Sequence, residues 1–167
     1  MKNPTDDPWY NEQVELGYNY RMTDFQAALG TSQLKKLDSF KARRTEIVNK
    51  YNEAFKDIKE IFVQKEIPES DTARHLYILN LNLEKLTCTR REFFDALSAE
   101  NIGPQVHYLP VYRHSHYEAL GYPKGLCPNA EHLYERILSL PLCPLLSDED
   151  EDDVIKAVKK LINYYRK

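Results

Sequence analysis

A helical pattern that opens at Asp24 and does not run out until Phe55 constrains this chain more than any other feature. Thr23 is an N-cap residue type and Gln26 stands three places later, the spacing of a capping box. Phe25, Leu29, Leu34, Leu37, Phe40, Ile47, Val48, Tyr51 and Phe55 then follow as an apolar stripe. At 1.5 Å per residue, such a helix is about 45–50 Å long, longer than a small domain is wide. It must bend, with Asp38-Ser39 the expected place, or run past its own domain to touch something else. A chain with that stripe uncovered is expected to self-associate, as a symmetric dimer that pairs its long helices or swaps residues 1–16.

The remaining pattern is helix-rich with a few strands. Residues 1–16 read as an extended lead-in whose apolar points are Trp9, Val14 and Leu16. Ile61-Phe62-Val63 predicts a short strand, and Leu76–Leu81 a buried one, because its apolar character is continuous and β-rich. Thr89 and Glu92 make a second capping box, opening a helix to about Glu100. Gln105–Tyr108 predicts a third strand stopped by Pro110, and Leu138–Leu140 a fourth. Between them, Asn129 is the expected cap of a short helix through Arg136. The acidic run Asp148–Asp153 suggests a metal site, but a helix start accounts for it better. Ser147 caps, acids fill the first turn where the macrodipole favours them, and Lys159, Lys160 and Arg166 fill the last. Val154, Ile155, Val158, Leu161 and Ile162 give that helix its apolar face.

Composition removes several classes of function. The chain has 167 residues, so one domain with a real core is the default. A net charge of -3 leaves no basic footprint for nucleic acid or an anionic membrane surface. No apolar run is long enough to span a bilayer, and Met1-Lys2-Asn3-Pro4 opens no segment of signal-peptide type. Cys88, Cys127 and Cys143 are odd in number and lack zinc-type pairing, which suits reduced thiols and a cytoplasmic location. No glycine-rich phosphate loop is present.

Two segments carry candidate chemistry. Gly17-Tyr18-Asn19-Tyr20-Arg21 crowds two tyrosines, an amide and a guanidinium ahead of a helix N-terminus, which itself favours anions. Either Arg21 is tied into a buried polar knot with a nearby carboxylate, or Asn19 and Arg21 are donors to an anion. The second segment is Gln105-Val106-His107-Tyr108. Strand alternation would send Gln105 and His107 one way, Val106 and Tyr108 the other. Either these residues are packing, or they form a polar, aromatic wall for a hydroxylated ring. His75, on an apolar strand, reads as a hydrogen-bonded core histidine. His107, His114 and His116 have no recognised zinc spacing, so no metal is expected.

The order of residues adds a further reading. Gly17–Asp24, then Gln26-Ala27-Ala28-Leu29-Gly30, Gln33-Leu34, Leu37–Phe40 and Arg43-Arg44 closely resemble the DegT/DnrJ/EryC1/StrS sugar-nucleotide aminotransferases. His75-Leu76-Tyr77, Gly103–Pro110 and Leu138–Leu142 continue the resemblance, which is to the C-terminal part of that family. It implies an α/β fold of the α+β type, the small domain of a fold-type I pyridoxal 5'-phosphate (PLP) enzyme, with long helices on a small, mainly antiparallel sheet. Residues 17–167 would be that domain and residues 1–16 a remnant of the large one. The family's Schiff-base lysine follows a Ser-x-His motif in the large N-terminal domain. Here Ser115-His116 is followed by Tyr117-Glu118-Ala119-Leu120, so the catalytic lysine is absent and the chain alone is expected to be inactive.

The resemblance also implies a homodimer with an active site shared between subunits, a missing large domain and a nucleotide-sugar substrate. Asn19 would contact phosphate or substrate, and Arg21 would bind phosphate or hold the loop. Gln105, Val106, His107 and Tyr108 would line the sugar-nucleotide pocket. The phrase Gln105–Tyr112 looks most like members acting on UDP-linked 4-keto-6-deoxy-N-acetyl sugars, in the pseudaminic-acid pathway and in spore-coat polysaccharide synthesis, with glutamate as the usual amino donor. Two other classes stay open: a non-catalytic dimerisation or interaction module, and a small enzyme using His107 as general base.

Overall fold

The computed structural model describes residue 13 and residues 15–167. The expected lead-in lies almost wholly outside the described residues; its last residue, Leu16, is exposed. The chain forms two compact units, one through Lys36 and one from Leu37 onward.

The first unit contains helix α1 (Asp24–Leu34). Its capping box forms as the sequence predicts: Gln26 N donates to Thr23 Oγ1 at 3.3 Å, and Thr23 N donates to Gln26 Oε1 at 2.9 Å. None of its residues is buried, and Phe25, Leu29 and Leu34 are exposed. The expected long helix is interrupted at Lys35-Lys36, slightly before the anticipated bend. Lys36 N reaches back only to Gln33 O, a tight closing turn. Helix α2 (Leu37–Phe55) then restarts with Asp38 in its first turn, where an acid complements the new helix dipole.

In the second unit, strands β1 (Ile61–Val63), β2 (Tyr77–Leu81) and β3 (Ile137–Leu140) form an antiparallel sheet in that spatial order. The register pairs Val63 with Leu79, and Leu79 with Leu138. Paired residues share a face, so Ile61, Tyr77, Leu79, Leu81, Leu138 and Leu140 form one apolar surface. Helices α2, α3 (Arg90–Ala99) and α6 (Asp148–Tyr165) supply the other half of the core. Tyr51 and Tyr77 meet edge to face at 5.0 Å, and each hydroxyl finds an acceptor: Pro141 O at 3.1 Å and Asn52 Oδ1 at 2.9 Å. Burial pushes both phenols upward in pKa. The molecule thus has helices packed on a small antiparallel sheet, the α+β arrangement expected.

Four local expectations are corrected. Gln105–Tyr108 is not a strand; Gln105 alone bridges to Ser139, since Pro104 and Pro110 offer no N–H to continue a ladder. The helix after Cys127 is α5 (Pro128–Tyr134), following the short α4 (Ser115–Ala119); Pro128, with its preset φ, takes the first position and Asn129 is not the cap. His75 is exposed, two residues before the strand that was expected to bury it. The last turn of α6 holds no basic residue: Lys160 lies earlier and meets Glu100 at 2.7 Å, and Arg166, the C-cap, meets Glu60 at 2.8 Å.

The acidic start of α6 is structural, as the capping argument requires. Asp150 closes the capping box with Ser147. Glu151, almost fully buried, pairs with Arg43 and, at 3.3 Å, with Lys50, while Asp148 also meets Arg43 and Asp152 meets Lys50. This network clamps α2 to α6. Among the described residues there is no cluster of metal-ligating type, and no helix is long and apolar enough to cross a membrane.

Candidate functional site

Two groups of residues present chemistry to solvent, one in each unit. In the first, residues 17–22 lead into the capped start of α1. Tyr18 and Tyr20 are 84% and 87% exposed, with stacked rings 5.4 Å apart. Arg21 Nε donates to Asn19 Oδ1 at 3.1 Å. The segment is exposed in this chain, and among the described residues no carboxylate pairs with Arg21. With Asn19 Oδ1 engaged, its Nδ2 and the terminal guanidinium nitrogens remain as donors, a set suited to an anionic oxygen.

The second group is built on the outer edge of β3. Gln105 N donates to Ser139 O at 3.1 Å, and Ser139 N donates back to Gln105 O at 2.7 Å. That reciprocal pair of main-chain hydrogen bonds fixes the segment at one point. Val106 is half-buried and packs against the core, while Gln105 is exposed. His107 Nδ1 lies 2.8 Å from Ser139 Oγ, and the Tyr108 ring stands edge-on to the imidazole at 4.5 Å. Tyr108 itself is 72% exposed. Gln105 and His107 therefore meet the same serine, one through backbone and one through its ring, although no strand places them there. Asn19 and Arg21 belong to the first unit, and Gln105–Tyr108 to the second.

Beyond Tyr108 the chain is held by a polar cluster. Glu131 accepts from Tyr112 Oη and from Gly125 N, both at 2.7 Å, and these bonds lower its carboxyl pKa. Gly125 adopts φ 87°, a conformation that favours glycine. Around this cluster Val111, Leu120, Tyr122, Leu126 and Leu133 are exposed. Sequence reading missed two functional candidates here. Ser139 appeared only as one residue of an apolar strand, and its signal was being the one hydroxyl in that run. A cleft of about 330 Å³ in the second unit, lined among others by Asn52, Thr72, Arg74 and Tyr77, was not foreseen either.

The fold has close counterparts. Helicobacter pylori PseC, an aminotransferase involved in the biosynthesis of pseudoaminic acid, is 28% identical and similar with a TM-score of 0.84, over 96% of this chain and 43% of that one. The fold is thus that of part of a sugar-processing aminotransferase. Residues 1–159 match the DegT/DnrJ/EryC1/StrS aminotransferase family, and the chain belongs to that family. Among its relatives, the spore coat polysaccharide biosynthesis protein SpsC of Bacillus subtilis is 44% identical over 156 residues, 92% of this chain and 40% of SpsC. The UDP-4-amino-4,6-dideoxy-N-acetyl-beta-L-altrosamine transaminase of Campylobacter jejuni is 40% identical over 133 residues, 80% of this chain and 35% of that enzyme. The chain spans about 40% of the length of the curated relatives it matches. Solved structures similar to it include PLP-bound forms.

Proposed function

We propose that this chain is the C-terminal part of a PLP-dependent aminotransferase that moves an amino group from glutamate to the keto group of a nucleotide-linked sugar. The substrate class we infer is a UDP-linked 4-keto-6-deoxy-N-acetyl hexose, used in surface polysaccharide or glycan synthesis. In this reading residues 17–167 are the small domain and residues 1–16 belong with the large one. The observation that carries it is the family match over nearly the whole chain, to proteins of which the chain spans about 40%.

The donors present fit part of such a cofactor site. PLP supplies the electron sink for transamination, and its phosphate needs cationic and amide donors. Asn19 Nδ2 and the Arg21 guanidinium are such donors, exposed and unpaired with any described carboxylate. They would reach a site completed by a second subunit. Gln105, Val106, His107 and Tyr108 would line the sugar-nucleotide pocket, through side chains and backbone groups. The Ser115-His116 segment carries no lysine at the position the family requires, so proton transfer at the reacting carbon is the work of a group outside this chain.

A graft tests the proposal. This chain replaces the matching part of the Campylobacter transaminase, and glutamate-dependent amination of the UDP-4-keto sugar is assayed. The graft is expected to be active, and Asn19→Ala in it to weaken cofactor or substrate binding by about 1.5–3 kcal/mol, the worth of a hydrogen bond to a charged group. A folded graft whose affinities ignore Asn19→Ala returns Asn19 to a structural role.

A further inference from the structure

Ser139 is 4% exposed, and its main-chain N–H and C=O are both committed to Gln105. Its hydroxyl has a single partner among the described residues, His107 Nδ1 at 2.8 Å. A hydroxyl carries one hydrogen, and a neutral imidazole carries one hydrogen and one ring lone pair. Were the ring hydrogen on Nδ1, Ser139 Oγ would accept it, and the buried hydroxyl hydrogen would face no acceptor among the described residues. Leaving a buried donor unmet is the costly alternative. With Oγ donating to Nδ1 instead, both groups are satisfied and the ring hydrogen must sit on Nε2. No described residue bonds Nε2, and the edge-on Tyr108 ring packs against the imidazole beside it.

We infer that Ser139 is a positioning residue: it donates to His107 Nδ1, fixes the neutral ring in its Nε2–H form and so makes the far ring nitrogen a hydrogen-bond donor. The group it would meet is an oxygen acceptor on the ligand, from a phosphate or a sugar. The inference rests on the reading of His107 as a pocket residue and deepens it. Toward the ligand, His107 then acts as a donor, because Nε2–H has no lone pair to offer there.

Histidine tautomers are read directly by nitrogen-15 NMR on the full chain, with the His107 signals assigned by their loss in His107→Gln. The expected result is an excess of Nε2–H over Nδ1–H at His107 of about ten-fold, the scale set by one unmet buried donor. Ser139→Ala should cut that excess about five-fold, while Ser139→Thr, which restores the hydroxyl, should keep it. An Nδ1–H ring in the wild type overturns the inference whatever the variants do, as does an unchanged tautomer in a folded Ser139→Ala. Adding UDP and N-acetylglucosamine separately tells a phosphate from a sugar acceptor by which one shifts Nε2. A ring that is Nε2–H yet responds to neither upholds the role of Ser139 and counts against the nucleotide-sugar reading alone.

Discussion

Glu84 shows how a single residue ties sequence-distant parts of the chain together. It accepts a fork of two bonds from Arg136, at 2.7 and 2.5 Å, just beyond β2 on one side and just before β3 on the other. That fork, and the backbone N–H of Glu84 itself, hold its carboxyl down to about 2 from an ordinary 4.5. Because the folded carboxyl is the more acidic, protons bind the unfolded chain more readily. The stability the pair contributes is therefore complete above about pH 4.5 and is lost as pH falls toward about 2. The expected outcome is a gap in melting temperature between wild type and Glu84→Gln at pH 7 that narrows between those limits. Circular-dichroism melts across that range measure it, and a constant gap would show that the charge contributes nothing. Asn19, Arg21, Gln105 and His107 were all singled out by residue type and order. Ser139 was not, since only folding brings a strand serine beneath a histidine from another segment.

At the scale of elements, the clamp between α2 and α6 is the feature with the clearest energetic consequence. Glu151 is 1% exposed and faces two cations that stay partly solvated, Arg43 and Lys50. Glu151→Ala is expected to cost about 2–3 kcal/mol, below the 3–5 typical of a fully buried pair, because the cations left behind keep some water. Urea denaturation gives the value, and a loss under about 0.5 kcal/mol would mean that apolar packing alone joins these helices. Two capping boxes, Thr23 with Gln26 and Thr89 with Glu92, and the N-cap at Ser147 were legible in the sequence because their chemistry is local. The strands Ile61–Val63 and Leu138–Leu140 were legible from β-rich apolar runs, the second being one residue longer in the structure. The Gln105–Tyr108 segment was misread because a short apolar-polar alternation gives no sign of whether a partner strand is available. The interruption at Lys35-Lys36 was misplaced because Asp38-Ser39 resembles a break, yet acts as the first turn of a new helix.

At the scale of the whole molecule, the distribution of exposed apolar residues sets what the chain does in solution. Tyr18, Tyr20, Met22, Phe25, Leu29 and Leu34 are all more than half exposed in the first unit, as are Tyr108, Val111 and Leu120 in the second. Patches of this kind are rarely left open in monomers. Self-association is expected, and sedimentation equilibrium over a wide concentration range measures it; a constant mass of one chain at high concentration would contradict it. The family was legible because its motifs are contiguous in the sequence. In the proposed function, this chain supplies binding surface to a transamination whose reactive amine lies elsewhere. The most direct test incubates the pure chain with PLP, glutamate and a UDP-4-keto-6-deoxy-N-acetyl hexose, following visible absorbance, a borohydride-stable mass adduct and amino-sugar product. No site-specific adduct and no turnover are expected; a single-lysine adduct accompanied by glutamate-dependent product would overturn the proposed function.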